Sequence, residues 1–233
     1  MSLKISVAQL NYCVGDMTGN ARKIIDAARR AYQSGCRLVL TPELAICGYA
    51  AEDLFLRPAF LAACEAAVDQ VAAELADLQG LHVVVGSPAA ATAGLRTRSV
   101  AVPQLFNAAH VLSQGRRLHT YAKRELPNYQ VFDERRYFAP GQVPCVFSVG
   151  EGEDAFKVGL LICEDAWFDE PARLCRAAGA QVLAVINASP FHAGKALERE
   201  AAMAIRARDT GLGLVFAHLV GGQDEVVLSL IHI

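Results

Sequence analysis

Apolar positions along the chain alternate between runs typical of buried strands and spacings typical of amphipathic helices. The predicted strands are 3–10, 37–41, 81–86, 143–149, 156–163, 181–187 and 214–220. The predicted helices are 21–34, 58–79, 169–178 and 194–210. The first of these helices follows Asn20, a residue type that caps helices, and Gly35 is expected to end it.

Between residues 98 and 121 the pattern changes to two extended stretches separated by Gln114-Gly115, which predicts an antiparallel hairpin. The total is about nine strands and four helices, with no linker rich in Pro, Gly or Ser and no repeat. This organisation indicates a single α/β domain. Parallel segments around a hairpin favour either a mixed sheet or two packed sheets with helices outside.

Composition narrows the class of protein. The chain has 233 residues, 53% of them hydrophobic, and a net charge of −2, so a sizeable core is expected and no electrostatic argument favours nucleic acid or an anionic membrane. No apolar run approaches the roughly 18 residues that span a bilayer, and the N-terminus lacks a signal-peptide pattern. Seven scattered cysteines without a C-x-x-C pair predict no metal site and suit a reducing compartment. We therefore expect a soluble, cytoplasmic protein.

Candidate chemistry stands at three predicted strand ends. Cys163 ends an apolar run and is followed at once by two acids. Carboxylates alone would make it a poor nucleophile because nearby negative charge raises the pKa of a thiol, so a base and a cation are needed. Glu43 follows strand 37–41, and Lys123 follows the second hairpin stretch. Taken singly, such an acid or lysine is more often solvated, but together the three supply a nucleophile, a base and a cation.

Around these positions the chain resembles the nitrilase, or carbon–nitrogen hydrolase, superfamily, and within it the glutaminase domains of glutamine-dependent NAD+ synthetases. The similarity extends over nearly the whole chain. The stretches that carry it are Thr41-Pro42-Glu43-Leu44, Lys123-Arg124-Glu125-Leu126-Pro127-Asn128-Tyr129, Val131-Phe132-Asp133-Glu134, Ile162-Cys163-Glu164-Asp165, Asn187-Ala188-Ser189-Pro190 and Gly221-Gly222-Gln223-Asp224-Glu225.

The resemblance implies a role for seven residues. The implied catalytic residues are Glu43 as general base, Lys123 as the cation for the oxyanion, Cys163 as nucleophile and Glu134 as a supporting acid. The implied substrate-binding residues are Tyr129, Glu164 and Ser189, with Glu164 holding the α-amino group of glutamine. For Tyr129 and Ser189, ordinary packing and turn chemistry remain an alternative interpretation.

The resemblance also implies a four-layer αββα sandwich that hydrolyses glutamine and supplies ammonia for the conversion of deamido-NAD+ to NAD+. The expected domain is 1–227, with an atypical tail at 228–233 that suggests truncation, and without the synthetase domain. No cofactor is expected in this domain, whereas ATP and Mg²⁺ would serve the missing one. Homo-oligomers are expected from the family. Two alternatives stay open: a stand-alone amidase or carbamoylase, and a non-catalytic module that only associates with partners.

Overall fold

The computed structural model describes residues 2–90, 105–152, 155–223 and 226–228. The elements of the first half are β1 (Ile5–Val7), α1 (Met17–Gln33), β2 (Leu38–Leu40), α2 (Pro58–Glu74), β3 (His82–Ala90), β4 (Leu105–Ser113) and β5 (Arg116–Ala122). Those of the second half are β6 (Cys145–Val149), β7 (Phe156–Ile162), α3 (Asp169–Ala177), β8 (Val182–Asn187), α4 (Lys195–Thr210), β9 (Gly213–His218), β10 (Gly221–Gln223) and β11 (Val226–Leu228).

Strands β1 to β5 form one sheet in sequence order. The first three strands are mutually parallel, and β4 and β5 add an antiparallel hairpin. Its turn contains Gln114 and Gly115, with φ of 49° and 74°, which confirms the predicted hairpin; residues 98–104 of the prediction lie outside the described residues. Strand β4 runs antiparallel to β3, and β5 runs antiparallel to β4. Strand β5 therefore runs parallel to β2, and both strands end at the same edge of the sheet.

A second sheet has the order β6-β7-β8-β9, with β7, β8 and β9 parallel. Strands β10 and β11 pair with each other in a small separate hairpin. Parallel neighbours again place the carboxyl ends of β7, β8 and β9 at one edge. In open α/β folds such edges are where binding and catalytic groups collect.

Three apolar clusters define the layers. One joins α1 and α2 to the outer face of the first sheet through residues such as Ile24, Val68 and Val83. The second lies between the two sheets, where Leu40 and Val84 meet Leu160 and Ile186. The third packs α3 and α4 on the outer face of the second sheet, with Ala172, Met203 and Leu183. The order helix–sheet–sheet–helix confirms the predicted four-layer αββα fold.

Some predicted boundaries are wrong. Helix α1 begins at Met17 with Asp16 as its cap, whose Oδ1 accepts a hydrogen bond from Gly19 N at 2.9 Å. Asn20 is instead buried inside the helix, where its Nδ2 donates to the carbonyls of Cys13 and Ile46. Helix α2 ends at Glu74, before the predicted end at residue 79. The last apolar residues of the predicted helix, Leu75 and Leu78, reach the core from turns.

Two further strands, β10 and β11, raise the count within the described segments to eleven, above the nine expected. Both are too short for an apolar pattern to reveal. Leu228, which the sequence placed in the tail, is buried and pairs with Gly221; the boundary at residue 227 stays a prediction. In the part of the chain that the structure describes, no helix combines the length and apolarity needed to cross a membrane.

Candidate active site

Glu43 reaches the space between the sheets from a tight turn after β2. Thr41 anchors the turn, because its N–H and its hydroxyl both donate to the carbonyl of Val84, at 3.0 and 2.9 Å. Beneath the turn, β3 passes so closely that a Cβ on Gly86 would lie 2.4 Å from the nitrogen of Leu44. Only glycine permits this approach. The turn therefore directs the Glu43 side chain inward, where it is fully buried.

Lys123 meets Glu43 at the same edge of the sheet, directly after β5. Its Nζ donates to Glu43 Oε1 and to Glu134 Oε1, both at 2.7 Å. Glu134 lies on the short 3₁₀ helix Glu134–Arg136. Asn107, near the start of β4, completes the group: its Nδ2 donates to Glu43 Oε1 at 2.7 Å, and its carbonyl accepts from Lys123 N at 2.9 Å. The four side chains form one buried polar cluster.

The charged groups of this cluster shift one another's pKa values because they lie close together. Burial lowers the pKa of Lys123, but Glu134, Glu43 and a thiolate at Cys163 raise it more, and the result lies well above the usual value. Burial raises the pKa of Glu134 to about 7, with Lys123 opposing the rise and Glu43 adding to it. Lys123 is therefore a permanent cation. Two of its three ammonium protons are used by carboxylates, and one remains for a reacting sulfur or oxygen.

Cys163 enters the same space from the second sheet. It follows β7, begins the 3₁₀ helix Cys163–Trp167 and has a left-handed φ of 47°. Burial raises the pKa of its thiol well above the usual value; Glu43 adds to this rise and Lys123 opposes it. The resting group is consequently a thiol. A thiol used as a nucleophile would need a base, and Glu43 is the carboxylate that raises the pKa of Cys163 most.

Asp165 joins the turn at Cys163 to the segment that follows Lys123. Its fully buried carboxylate accepts four hydrogen bonds, from the Tyr121 hydroxyl at 2.8 Å and from the N–H groups of Ile162 at 3.0 Å, Arg124 at 3.0 Å and Glu125 at 2.8 Å. Burial raises its pKa to about 6, against the lowering effect of these bonds. One side chain thus ties the residue before Cys163 to the two residues after Lys123.

Replacing Asp165 by asparagine is expected to lower the free energy of unfolding by about 3 kcal/mol, because an amide NH₂ would face donors and leave buried N–H groups unsatisfied. The measurement is urea-induced unfolding at pH 7. The matched control is Asp169→Asn, which breaks only the exposed ion pair with Arg173 and should change the free energy of unfolding by less than about 0.5 kcal/mol. Equal losses for the two variants would contradict the positioning role.

The predicted substrate-binding residues lie around this cluster. The Tyr129 hydroxyl donates to both carboxylate oxygens of Glu164, at 3.0 and 3.1 Å. Burial, and then Glu164, raise the pKa of Tyr129 to about 12, so it remains a donor. Ser189 is joined to the cluster through its neighbour, because Ala188 N donates to Glu43 Oε2 at 2.8 Å. Its own hydroxyl accepts from Arg199 Nη2 at 3.2 Å.

All seven predicted site residues therefore collect at the facing edges of the two sheets, and cavities open beside them. A cavity of about 230 Å³ includes Tyr129 and Glu164, and another of about 380 Å³ includes Ser189. A third, of about 290 Å³, reaches Glu134 through an aromatic wall that includes Tyr49 and Phe132. Within the described residues, no group of three or more His, Cys, Asp or Glu side chains is arranged to hold a metal ion.

Sequence reasoning missed three residues of this site: Asn107, Asp165 and Arg199. Asn107 could have been found from the sequence. It is the one amide side chain in the largely apolar stretch 105–112, and a buried amide must find a hydrogen-bond partner. Asp165 was noted only as an acid beside the thiol. Arg199 lies on a helix that carries several other charged residues, and nothing in its spacing distinguishes it from them.

Two packed sheets that enclose a thiol, a carboxylate and a lysine define an amide-processing class of hydrolase, and the comparisons agree. The carbon–nitrogen hydrolase family model matches residues 4–232, so the chain belongs to the carbon–nitrogen hydrolase family. The chain is 44% identical over 233 residues to the glutamine-dependent NAD(+) synthetase of Xanthomonas campestris pv. campestris. This alignment covers 98% of the chain and 39% of the relative. The corresponding enzyme of Xylella fastidiosa is 43% identical over 230 residues, or 97% of the chain and 39% of the relative.

Solved structures support the same assignment. The glutamine-dependent NAD+ synthetase of Acinetobacter baumannii matches with a TM-score of 0.84 and 32% identity, over 98% of this chain and 40% of that one. A glutamate-to-glutamine mutant of the amidase from Nesterenkonia sp. AN1, with the acetamide moiety of fluoroacetamide on its active-site cysteine, matches with a TM-score of 0.81 and 26% identity, over 97% of this chain and 79% of that one. The chain thus spans about two fifths of the synthetases it matches, and the resemblance inferred from the motifs is confirmed.

Proposed function

We propose that this chain hydrolyses the side-chain amide of glutamine, as the glutaminase part of a glutamine-dependent NAD+ synthetase. The observation that carries the proposal is the buried cluster in which Lys123 bridges Glu43 and Glu134 beside the Cys163 thiol. This cluster provides every group that amide hydrolysis through a thioester requires. Similarity to proteins named as glutamine-dependent synthetases supports the choice of amide.

The chemistry follows from the positions of these groups. Glu43 takes the proton of Cys163 as the sulfur attacks the amide carbon, and the carbonyl becomes a tetrahedral oxyanion. The free N–H of Lys123 and backbone N–H groups near Cys163 stabilise this oxyanion, at about 3 kcal/mol for each donor. Glu43 returns the proton to the departing nitrogen, which leaves as ammonia. Water, deprotonated by Glu43, then hydrolyses the γ-glutamyl thioester to glutamate and free thiol.

The partners follow from the same proposal. Glu164 would hold the α-amino group of glutamine, and Tyr129 and Ser189 would contact the backbone atoms of glutamine. The ammonia would pass to a synthetase region in cis, where ATP and Mg²⁺ activate deamido-NAD+; the hydrolase region itself would need no cofactor. We further propose assembly into homo-oligomers in the cytoplasm, as the family resemblance implies.

Fluoroacetamide tests the nucleophile directly. Cys163 is 4% exposed as a residue, whereas Cys13 is exposed. A general alkylating agent should therefore react first at Cys13. With fluoroacetamide, loss of fluoride and formation of a thioether are expected at Cys163 at least about 10-fold faster than at Cys13, because Glu43 and Lys123 assist attack only there. Intact-mass analysis followed by peptide mapping measures both rates.

Saturating glutamine should slow labelling at Cys163 and leave labelling at Cys13 unchanged. Protection by propionamide but not by glutamine would instead favour the stand-alone amidase, a reading supported by the likeness to the Nesterenkonia enzyme. Labelling at Cys13 alone, on a chain with a cooperative unfolding transition, would favour the non-catalytic module and overturn the proposal.

A further inference from the structure

The two oxygens of the Glu43 carboxylate are held by different sheets. Oε1 accepts hydrogen bonds from Lys123 Nζ and from Asn107 Nδ2, both at 2.7 Å. Asn107 lies on β4 and Lys123 directly after β5, so both of these donors belong to the first sheet. Oε2 accepts from Ala188 N at 2.8 Å, directly after β8 of the second sheet. The carboxylate therefore spans the gap between the sheets, with one oxygen bonded to each.

Cys163 lies beside the strand end that holds Oε2. Strand β7 pairs in parallel with β8, and Ile162, the residue before Cys163, is in register with Ile186. The two strands therefore end side by side, β7 at the thiol and β8 at the N–H of Ala188. The donors on Oε1 come instead from β4 and from the end of β5. Of the two oxygens, Oε2 is the one bonded to the sheet that carries the nucleophile.

The hydrogen bonds of Glu43 decide where a proton can go. A carboxylate has about four positions that accept a hydrogen bond, two on each oxygen. Among the described residues, donors fill both positions on Oε1 and one on Oε2. A proton that moves from the Cys163 thiol to Glu43 therefore has one position left, on Oε2. The departing nitrogen of the amide would take the proton back from the same position.

Asn107 is oriented by the acids of the cluster. The residue is fully buried, and its Nδ2 also lies 3.4 Å from Glu134 Oε2. No described residue donates to its Oδ1. A reversed amide would turn this oxygen toward two carboxylates, so the NH₂ group must face them. All the hydrogen bonds that this side chain makes with the described residues are therefore donated to Glu43 and Glu134.

We propose that Asn107 is a positioning residue for the general base: together with Lys123 it occupies Glu43 Oε1, and so confines proton exchange with Cys163 to Oε2. This inference rests on the proposed function, in which Glu43 is the base. With Lys123 alone, one position on Oε1 would stay open, and a proton taken there would lie on the side of the first sheet, away from the nucleophile. Asn107 acts through Glu43 and has no contact with glutamine in this proposal.

The test follows fluoroacetamide labelling at Cys163, with Cys13 of the same chain as the internal reference. Asn107→Leu keeps the size of the side chain and removes the donor. We expect labelling at Cys163 to slow by about 30-fold, because the base is held less well and its proton can go to either oxygen. Labelling at Cys13 should not change. The glutamine concentration that halves the labelling rate should change by less than about 3-fold, since only the proton transfer is affected.

The pH dependence of labelling separates positioning of the base from loss of packing. The titratable side chains on which Glu43 acts are Lys123, Glu134, Cys163 and Tyr49. The variants retain all four. An amide donor favours the charged form of a carboxylate, so removing it should raise the pH at which labelling is half-maximal on the acid side, by about one unit. Asn107→Asp keeps the shape but adds a negative charge, and should raise this pH further.

The matched control is Ser113→Ala at the other end of β4, where the buried hydroxyl donates to the carbonyl of Leu81 at 2.7 Å. It removes a buried hydrogen bond from the same strand and should leave both the labelling rate and its pH dependence unchanged. The inference is wrong if both Asn107 variants match the wild type, if Ser113→Ala shifts as much as they do, or if they weaken protection by glutamine more than labelling. The glutaminase proposal stands in each of these cases. If wild-type labelling at Cys163 is absent or insensitive to glutamine, the proposed function fails first.

Discussion

Replacing Lys123 by methionine is expected to lower the free energy of unfolding at pH 8 by about 4 kcal/mol and to abolish glutamine hydrolysis. The ammonium is fully buried and is bonded at 2.7 Å to two carboxylates. Removing one member of a buried charge cluster leaves the others uncompensated, at a cost of roughly 3–5 kcal/mol. Methionine fills a similar volume, so the loss would report charge rather than a cavity.

The effect of pH on the variant separates charge from packing. Burial already raises the pKa of Glu134 to about 7 in the presence of Lys123, and without the cation it must rise further. A carboxyl group whose pKa is raised in the folded state stabilises that state less as the pH rises above its unfolded value of about 4.3. The variant should therefore be closest to wild-type stability near pH 5 and furthest from it near pH 8 or 9.

Urea-induced unfolding from pH 5 to pH 9 measures this dependence. The control is Lys157→Met, which removes an exposed lysine and should change the free energy of unfolding by less than about 0.5 kcal/mol at each pH. A loss for Lys123→Met that does not vary with pH would contradict the charge argument. Retained glutamine hydrolysis would remove Lys123 from the proposed catalytic set.

The ends of the strands were predictable from sequence because a strand pattern changes there abruptly to a charged or polar residue. The runs before Glu43 and Cys163 are apolar on successive residues, as strands covered on both faces must be, whereas the strand before Lys123, Arg116–Ala122, is largely polar and exposed. Each run is then interrupted by a charged or polar group that such a core excludes. The resulting prediction that the three groups meet depends on strand direction, and the antiparallel hairpin β4–β5 supplies it by returning β5 to the direction of β2.

The contacts that hold the site together were not predictable, because they join distant segments of the chain. Asn107 bonds Glu43 across 64 positions, and Ala188 bonds the same side chain across 145. Local propensity carries no information about such pairings. The cap of α1 was mispredicted for a related reason: Asp16 and Asn20 are both good capping residues, and only the tertiary bonds of Asn20 to Cys13 and Ile46 decide between them.

Replacing Cys163 by alanine is expected to reduce glutamine hydrolysis by at least about 10⁴-fold, because removing a nucleophile that acts as a unit with its base removes the covalent route altogether. Binding should survive, since the proposed contacts of glutamine with Tyr129, Glu164 and Ser189 remain. Isothermal titration of glutamine should give a Kd for the variant within about 3-fold of the wild-type KM if chemistry is slower than release. Ammonia release measures the hydrolysis.

The backbone at Cys163 adds a second, structural expectation. Its φ of 47° is left-handed, which costs a residue with a Cβ about 1 kcal/mol or more and costs glycine almost nothing. Cys163→Gly should therefore be as inactive as Cys163→Ala yet more stable than it by about 1 kcal/mol in urea-induced unfolding. An alanine variant more stable than the glycine variant would mean that the turn relaxes. Measurable hydrolysis by either variant would place the nucleophile elsewhere, because neither alanine nor glycine has a side chain that can attack an amide.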